Sequence, residues 1–320
     1  MSHRLSLPYY IVATAPSMDG YASTVAPLIR NNLKTTFECH APYAIIADLD
    51  VVAKAPREMV AAGYGDVLGK YTCLADWKLS AIINGEYYCE RVAGLTRQSL
   101  ERTIELSEGI AQGDAQAIGE LMETLILSGI AMSYVGNSRP ASGSEHHLAH
   151  FWEMRLLWEG RQPVLHGTKV GISTTYILKL YHYLLNEKLN PEYFQGLNPP
   201  ISENWVTEIR RVFLDATPEI LLLEEKEKKN DPILHRERLK SIITHWGEIL
   251  ETLQTVPSPE MAIELLHSVH APTDPSQVGI ESQLVYDAIL YAKEIRPRYT
   301  ILQLLWDLDL LSTFAKRIVP

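Results

Sequence analysis

The feature that most constrains this chain is a change of periodicity. From Asp66 onward almost every stretch repeats its apolar residues at helical spacing, whereas two short β-type runs precede it. Tyr9 to Thr14 (YYIVAT) is stopped by Ala15-Pro16-Ser17, and Tyr43 to Ala47 (YAIIA) ends in Asp48-Leu49-Asp50. Unbroken apolar runs of this kind predict buried strands of an α/β sheet rather than an alternating hairpin. Between them, the segment from Asp19-Gly20 to Arg30 is expected to form a short helix. Pro56 suits the first position of a helix, and Gly63-Tyr64-Gly65 interrupts that pattern before Asp66. Helices are predicted near 66–83, 99–111, 114–128, 144–158, 168–188, 202–214, 232–254, 258–268, 281–295 and 299–317. Asp114 and Ser202 are expected N-caps, Pro297 follows a helix end, and Glu224 to Asp231 reads as a solvated charged turn.

The fold class is therefore α/β plus all-α. Residues 1–55 are expected to form a partial α/β nucleotide-binding layer, and 56–320 a helical domain. Two or three strands cannot make a doubly wound sheet with both faces covered, so the first part reads as the trailing edge of a larger sheet. A formal net charge of −10 argues against a nucleic-acid partner, because a phosphate backbone needs a basic footprint. Cys39, Cys73 and Cys89 form no CxxC pair, which points to a reducing, cytoplasmic compartment. No run of about 18 apolar residues is expected to span a bilayer, and Pro8 arrives too soon after Met1-Ser2-His3-Arg4 for a secretory leader.

The chemistry concentrates in Ser142-Gly143-Ser144-Glu145-His146-His147-Leu148-Ala149-His150 and in His166-Gly167. His146 and His150 lie four apart and share a helix face, whereas His147 points about 100° away. That spacing suits two imidazoles on one metal, or one ligand beside a histidine that touches substrate. His166 is expected where a helix begins. Asp66, flanked by glycines and placed at a helix start, is the favoured carboxylate, and a simple N-cap is its plainer reading. Asp76 competes, with a surface ion pair to Lys78 as its own plain reading. One Asp and two His leave a coordination position open, as in catalytic rather than structural sites, and they suit zinc, nickel or iron(II). Gly63 to Tyr71 imitates a phosphate loop but fits neither GxGxxG nor GxxxxGK[ST].

Thr14 to Ser23 (TAPSMDGYAS), Gly65-Asp66, Ala75 to Lys78 (ADWK), Arg139 to His147 (RPASGSEHH) and His166 to Lys169 (HGTK) together resemble glycerol-1-phosphate dehydrogenase, in its bacterial branch. That family is related to glycerol dehydrogenase, iron-type alcohol dehydrogenases and, more distantly, dehydroquinate synthase. The resemblance runs from about residue 7 to the segment Tyr299 to Trp306. It implies a metal-requiring, NAD- or NADP-dependent interconversion of dihydroxyacetone phosphate and sn-glycerol 1-phosphate, a step of glycerophospholipid metabolism. It implies Asp66, His146 and His166 as metal ligands, with Asp66, Asp19 and His150 at the substrate. It also implies Thr14, Ala15, Pro16, Ser17 and Ser23 beside the cofactor. The partner expected is thus a small phosphorylated substrate, with a homodimer as one option. Ser142, Ser144, Arg139 and Lys169 are candidates for its phosphate, though the first three also read as a turn and helix cap. The family's glycine-rich diphosphate loop precedes the segment matching residues 7–23, and no such loop occurs in the first 60 residues. The chain is expected to be an N-terminally shortened member with weak or no activity. The alternative is a non-catalytic metal-binding remnant or interaction partner of the same fold.

Overall fold

The computed structural model describes residues 2–201 and 203–319, so the expected N-cap at Ser202 lies outside the described residues. Strand β1 (Tyr10–Ala13) pairs in parallel with β4 (Ala44–Ala47), with Tyr10 opposite Ala44 and Ala13 opposite Ala47. The two runs read as strands are strands, but of their residues only Ala13 is buried. Tyr10, Val12 and Ile46 are 59%, 67% and 52% exposed, because the described residues lay nothing over those faces.

The helix expected before Arg30 is replaced by an antiparallel hairpin, β2 (Val25–Arg30) with β3 (Leu33–Glu38). Two sequence signals account for this. Pro27 would clash inside a helix, and Asn31-Asn32 takes positive φ at both positions (49° and 61°), the geometry of a tight two-residue hairpin turn.

The remainder is helical. Two single turns, α1 (Ser2–Leu5) and α2 (Leu49–Val52), flank the strands. The helical body runs through α3 (Arg57–Leu68), α4 (Lys70–Asn84), α5 (Glu90–Glu105), α6 (Ser107–Gln112), α7 (Ala115–Val135), α8 (Ser144–Trp158) and α9 (His166–Asn186). It continues through α10 (Trp205–Phe213), α11 (Thr217–Glu227), α12 (Pro232–Thr244), α13 (Trp246–Leu253), α14 (Pro259–Ser268), α15 (Ser282–Tyr291), α16 (Ile301–Asp307) and α17 (Leu311–Ile318). Asp114 caps α7 as expected, its carboxylate accepting the Ala117 N–H at 2.8 Å. Of the charged segment expected as a solvated turn, Glu224 to Glu227 complete α11, and Lys228 to Asp231 make the turn into α12. In that turn, Lys229 donates to the carbonyls of Lys293 and Arg296, the latter at 3.2 Å.

One large apolar core, including Trp152, Tyr181, Leu304 and Phe314, joins α8, α9 and the C-terminal helices. A second, around Tyr64, Leu100 and Leu121, joins α3, α5 and α7. Against expectation, α7 is long and apolar enough to cross a membrane by length and composition, and about half of it is buried inside the fold.

Gly63 and Gly65 do not break a helix; they lie within α3, so Asp66 sits in its last turn rather than at a helix start. They are there because the backbone is crowded. A Cβ on Gly63 would lie 1.8 Å from the Pro16 carbonyl oxygen, and one on Gly65 2.7 Å from that of Gly167. Glycine in a helix interior costs about 1 kcal/mol relative to alanine. Here it lets α3 and α9 touch backbone to backbone, which fixes Asp66 against the start of α9.

Candidate active site

Three elements converge on one point. Asp66 comes from α3, His146 from the first turn of α8 and His166 from the first residue of α9. One donor atom from each lies within 4.8 Å of the others, and Asp66 and His146 are buried. His146 Nε2 stands 3.6 Å from Asp66 Oδ1, and the His146 and His166 rings are 5.2 Å apart. His150 is also near, its ring stacked on that of His166 with centroids 5.3 Å apart. His150, Glu153 and His166 form a second group of donors within the same reach.

Burial decides the protonation of the imidazoles. It pushes His166 down to about 3, aided by His146, and it drives His150 well below the usual histidine range, aided by Arg296 and Lys34. Both are neutral at pH 7, the form that donates a lone pair to a metal. His147 is neutral for the same reason, and neither of its ring nitrogens has a partner among the described residues.

Around the triad lie residues that the sequence reading passed over. Glu145 accepts from His146 Nδ1 at 2.7 Å, from the Gly143 N–H at 2.6 Å and from the Thr72 hydroxyl at 2.6 Å. Burial raises its carboxyl pKa, but the hydrogen bonds from His146, Thr72 and Gly143 outweigh that and hold it below the usual range. Fixing Nδ1 in this way turns Nε2 toward Asp66, the role a carboxylate plays behind a metal-binding histidine. Lys70 is fully buried and donates to Asp19 Oδ2 at 2.5 Å and to Asp66 Oδ1 at 3.3 Å. Burial alone would lower its pKa, yet the two carboxylates raise it, so it stays charged. The Asp19 N–H donates to Asp66 Oδ2 at 3.0 Å, which ties the loop after β1 to α3.

Asp76 is not the surface partner of Lys78, which pairs with Glu90 at 2.7 Å. It is fully buried and accepts from Ser144 N and Oγ, Tyr181 Oη and Ile301 N at 2.6–2.7 Å, so it is committed to joining α4, α8, α9 and α16. Three phosphate candidates are committed as well. Ser144 is held by Asp76, Arg139 by Glu86 and the Tyr299 carbonyl, and Lys169 by the Val164 carbonyl at 2.7 Å. Ser142 alone of the four keeps a hydroxyl without a partner.

A cavity of about 410 Å³ opens beside the triad. Asp19, Ser23, His146, His150 and His166 line it, with Lys34, Ser142, Glu153 and Arg296. The β2–β3 hairpin roofs it, pinned to α8 by Lys34 Nζ on both Glu153 oxygens (2.7 and 2.8 Å) and by the Trp158 indole N–H on the Asn32 carbonyl (3.1 Å). Of the residues expected at a cofactor, Ala15, Pro16 and Ser23 are buried, Ser17 is half-buried and Thr14 is exposed. The Ser23 hydroxyl is used locally, on the backbone of Val25.

The helix arrangement is that of the iron-type alcohol dehydrogenases. A probable glycerol dehydrogenase from Sinorhizobium meliloti 1021 superposes with TM-score 0.57 at 15% identity, covering 99% of this chain and 73% of that one. Glycerol dehydrogenase from Schizosaccharomyces pombe gives 0.53 at 14% identity, covering 99% and 66%. The sequence model for iron-containing alcohol dehydrogenase matches residues 1–56.

Among curated proteins, the glycerol-1-phosphate dehydrogenase [NAD(P)+] of Geobacillus stearothermophilus is 39% identical over 308 residues, covering 96% of this chain and 68% of that protein. That of Geobacillus thermodenitrificans (strain NG80-2) is 38% identical over 302 residues, covering 94% and 66%. The chain belongs to the glycerol-1-phosphate dehydrogenase family, and it spans about two thirds of the length of these relatives.

Proposed function

We propose that the cavity is the metal and substrate site of an oxidoreductase that interconverts dihydroxyacetone phosphate and sn-glycerol 1-phosphate, with NAD or NADP as the hydride partner. The observation that carries this reading is the convergence of three donors from three separate helices on an open cavity. A carboxylate and two imidazoles within 4.8 Å, with His166 held neutral, suit a divalent ion. Asp66, His146 and His166 would hold it. Nitrogen and oxygen donors suit zinc, nickel and iron(II) alike. Bound there, the ion supplies Lewis acidity to a substrate oxygen.

The chain's own residues do the remaining work. Glu145 holds the His146 ring in the one orientation that aims Nε2 at Asp66. Lys70 bridges Asp19 and Asp66 and holds the two carboxylates in register. His150 and Asp19 face the cavity as substrate contacts, and the hairpin roof limits the access of water. The division at residues 1–55 and 56–320 belongs to the same reading, with the cofactor approaching from the β1–β4 side. Three unpaired cysteines favour a reducing compartment.

The dinucleotide fits less well than the metal. Thr14 to Ser17 and Ser23 offer a wall for a nicotinamide ring, but among the described residues no glycine-rich turn joins a strand to the start of a helix. A diphosphate has no cradle there. The alternative reading is a non-catalytic chain of the same fold that still binds metal and substrate.

NAD(P)H oxidation by the zinc- or nickel-loaded chain with dihydroxyacetone phosphate separates the two. Turnover supports the first. Substrate binding without turnover supports the second, and no substrate binding with metal in place contradicts both.

A further inference from the structure

We infer that Arg296 and Ser142 form an anion subsite on the cavity wall that takes the phosphate monoester of the substrate; this rests on reading the cavity as a substrate site. The notable group is the Arg296 guanidinium. It lines the cavity at 7% exposure, yet no side-chain hydrogen bond or ion pair holds it among the described residues. A guanidinium carries five N–H donors, and a group so largely withdrawn from water gains when an acceptor in the cavity matches them. Ser142 lines the same cavity, and its buried hydroxyl has no hydrogen-bond partner among the described residues. Two residues with donors of different kinds therefore border one volume, beside His146, His150 and His166.

The backbone around them is fixed in advance. Lys229 donates to the Arg296 carbonyl at 3.2 Å, and Arg298 donates to the Ser142 carbonyl at 3.3 Å and to Ser138 Oγ at 2.8 Å. Arg298 thus ties the Ser138–Ser142 turn to the segment carrying Arg296 and adds a second positive charge behind it.

The surrounding charges leave this pair in excess. Glu153, the carboxylate that acts on Arg296, already receives Lys34 on both oxygens, with His150 at 3.3 Å. Asp19 and Asp66 share Lys70, and Arg139 is paired with Glu86. Burial pushes Arg296 down to about 10, and burial together with Arg296 and Arg139 pushes Arg298 down to about 9. Both remain cationic at pH 7, and a dianion is the ligand that relieves both their desolvation and their repulsion. A tetrahedral phosphate offers acceptors for the planar fork of an arginine and for a hydroxyl at once.

Such a phosphate has two possible sources, the substrate monoester and the phosphates of a dinucleotide. The cavity position beside the metal triad favours the monoester.

The test is calorimetric titration of the full zinc-loaded chain with inorganic phosphate, for the unmodified protein and for Arg296→Gln, Arg296→Lys and Ser142→Ala. Saturable binding is expected, weakened about ten- to hundredfold in Arg296→Gln and less in the other two, the loss appropriate to a charge-assisted bond. Dihydroxyacetone phosphate should displace the phosphate and NADH should not. No saturable binding, displacement by NADH alone, or an Arg296→Gln affinity within twofold of the unmodified protein overturns the inference. Should Arg296→Gln not fold, unchanged affinity in both Arg296→Lys and Ser142→Ala overturns it equally.

Zinc content read on the same samples keeps this inference separate from the functional reading. Phosphate held through Arg296 in a chain that takes up no zinc would retain the subsite and remove the metal centre. Zinc uptake with phosphate binding indifferent to Arg296 would do the reverse.

Discussion

Replacing Gly167 by alanine tests whether the α3–α9 contact builds the site. A Cβ at Gly167 would fall 2.0 Å from the Ala62 carbonyl oxygen and 3.0 Å from that of Ser17, whereas ordinary contact begins at 3.4 Å. The start of α9 must then retreat from α3 by about 3.4 − 2.0 = 1.4 Å, because both clashing atoms are backbone. Overpacking of this kind typically costs 1–3 kcal/mol, and a rigid backbone contact belongs at about 3 kcal/mol. Gly167 also follows His166 directly, so the same retreat opens the gap between His166 and Asp66. Metal–ligand distances tolerate only about 0.2 Å, so zinc affinity should fall about ten- to hundredfold. Urea unfolding of metal-free protein measures the first effect, and zinc competition against a chromophoric chelator the second. Gly94→Ala, in α5 with nothing within 4 Å of the added carbon, is the control and should stabilise by about 0.5–1 kcal/mol. A Gly167→Ala protein as stable as the parent, with unaltered zinc affinity, would show that the α3–α9 contact does not build the site.

Further outcomes follow from the buried charges. Lys70→Met leaves Asp19 and Asp66 buried without their cation and should cost about 3–5 kcal/mol in metal-free protein; a loss below 1 kcal/mol in urea unfolding would contradict the assigned pairing. Metal-free protein should also lose stability as pH falls below 6.5. His147, His150 and His166 have folded pKa values depressed by burial, His166 to about 3, so below 6.5 the unfolded chain takes up protons that the folded chain cannot. Asp76, raised to about 6 by burial, works in the opposite direction between 6 and 3.8, but as one group against three. Urea midpoints at pH 7.5, 6.5 and 5 measure the balance, and a midpoint that rises toward pH 5 would reverse the assigned sign.

Much of the fold was legible because helical period survives tertiary context. The helices carrying His146 and His166 lie close to where their apolar spacing places them. The hairpin was missed because a short apolar run beside Asp19-Gly20 fits either element, and the deciding signals, Pro27 and the Asn31-Asn32 turn, are local. Asp66 was found as a residue but misplaced in its helix. Glycines that read as breakers serve instead as close-contact points of α3, Gly65 against α9 and Gly63 against Pro16, a fact that exists only once those partners are present.

Lys70 had a readable signal, its i,i+4 spacing from Asp66, hidden by its likeness to a phosphate-loop lysine. Glu145 had none, since neighbours on a helix do not face each other, and its side chain reaches His146 by folding back at the start of α8. Arg296 lies far along the chain from the histidines and enters the cavity only through the tertiary fold.

The central claim is that Asp66, His146 and His166 act together on one ion. Titration of the full chain with cobalt(II), followed by visible absorption, tests it most directly. One equivalent should bind with the intense ligand-field bands of a low-coordinate nitrogen and oxygen site, and Asp66→Asn, His146→Ala and His166→Ala should each weaken it, while His147→Ala leaves the spectrum unchanged. Binding that survives all three substitutions, or no stoichiometric binding by the unmodified chain, would contradict the account.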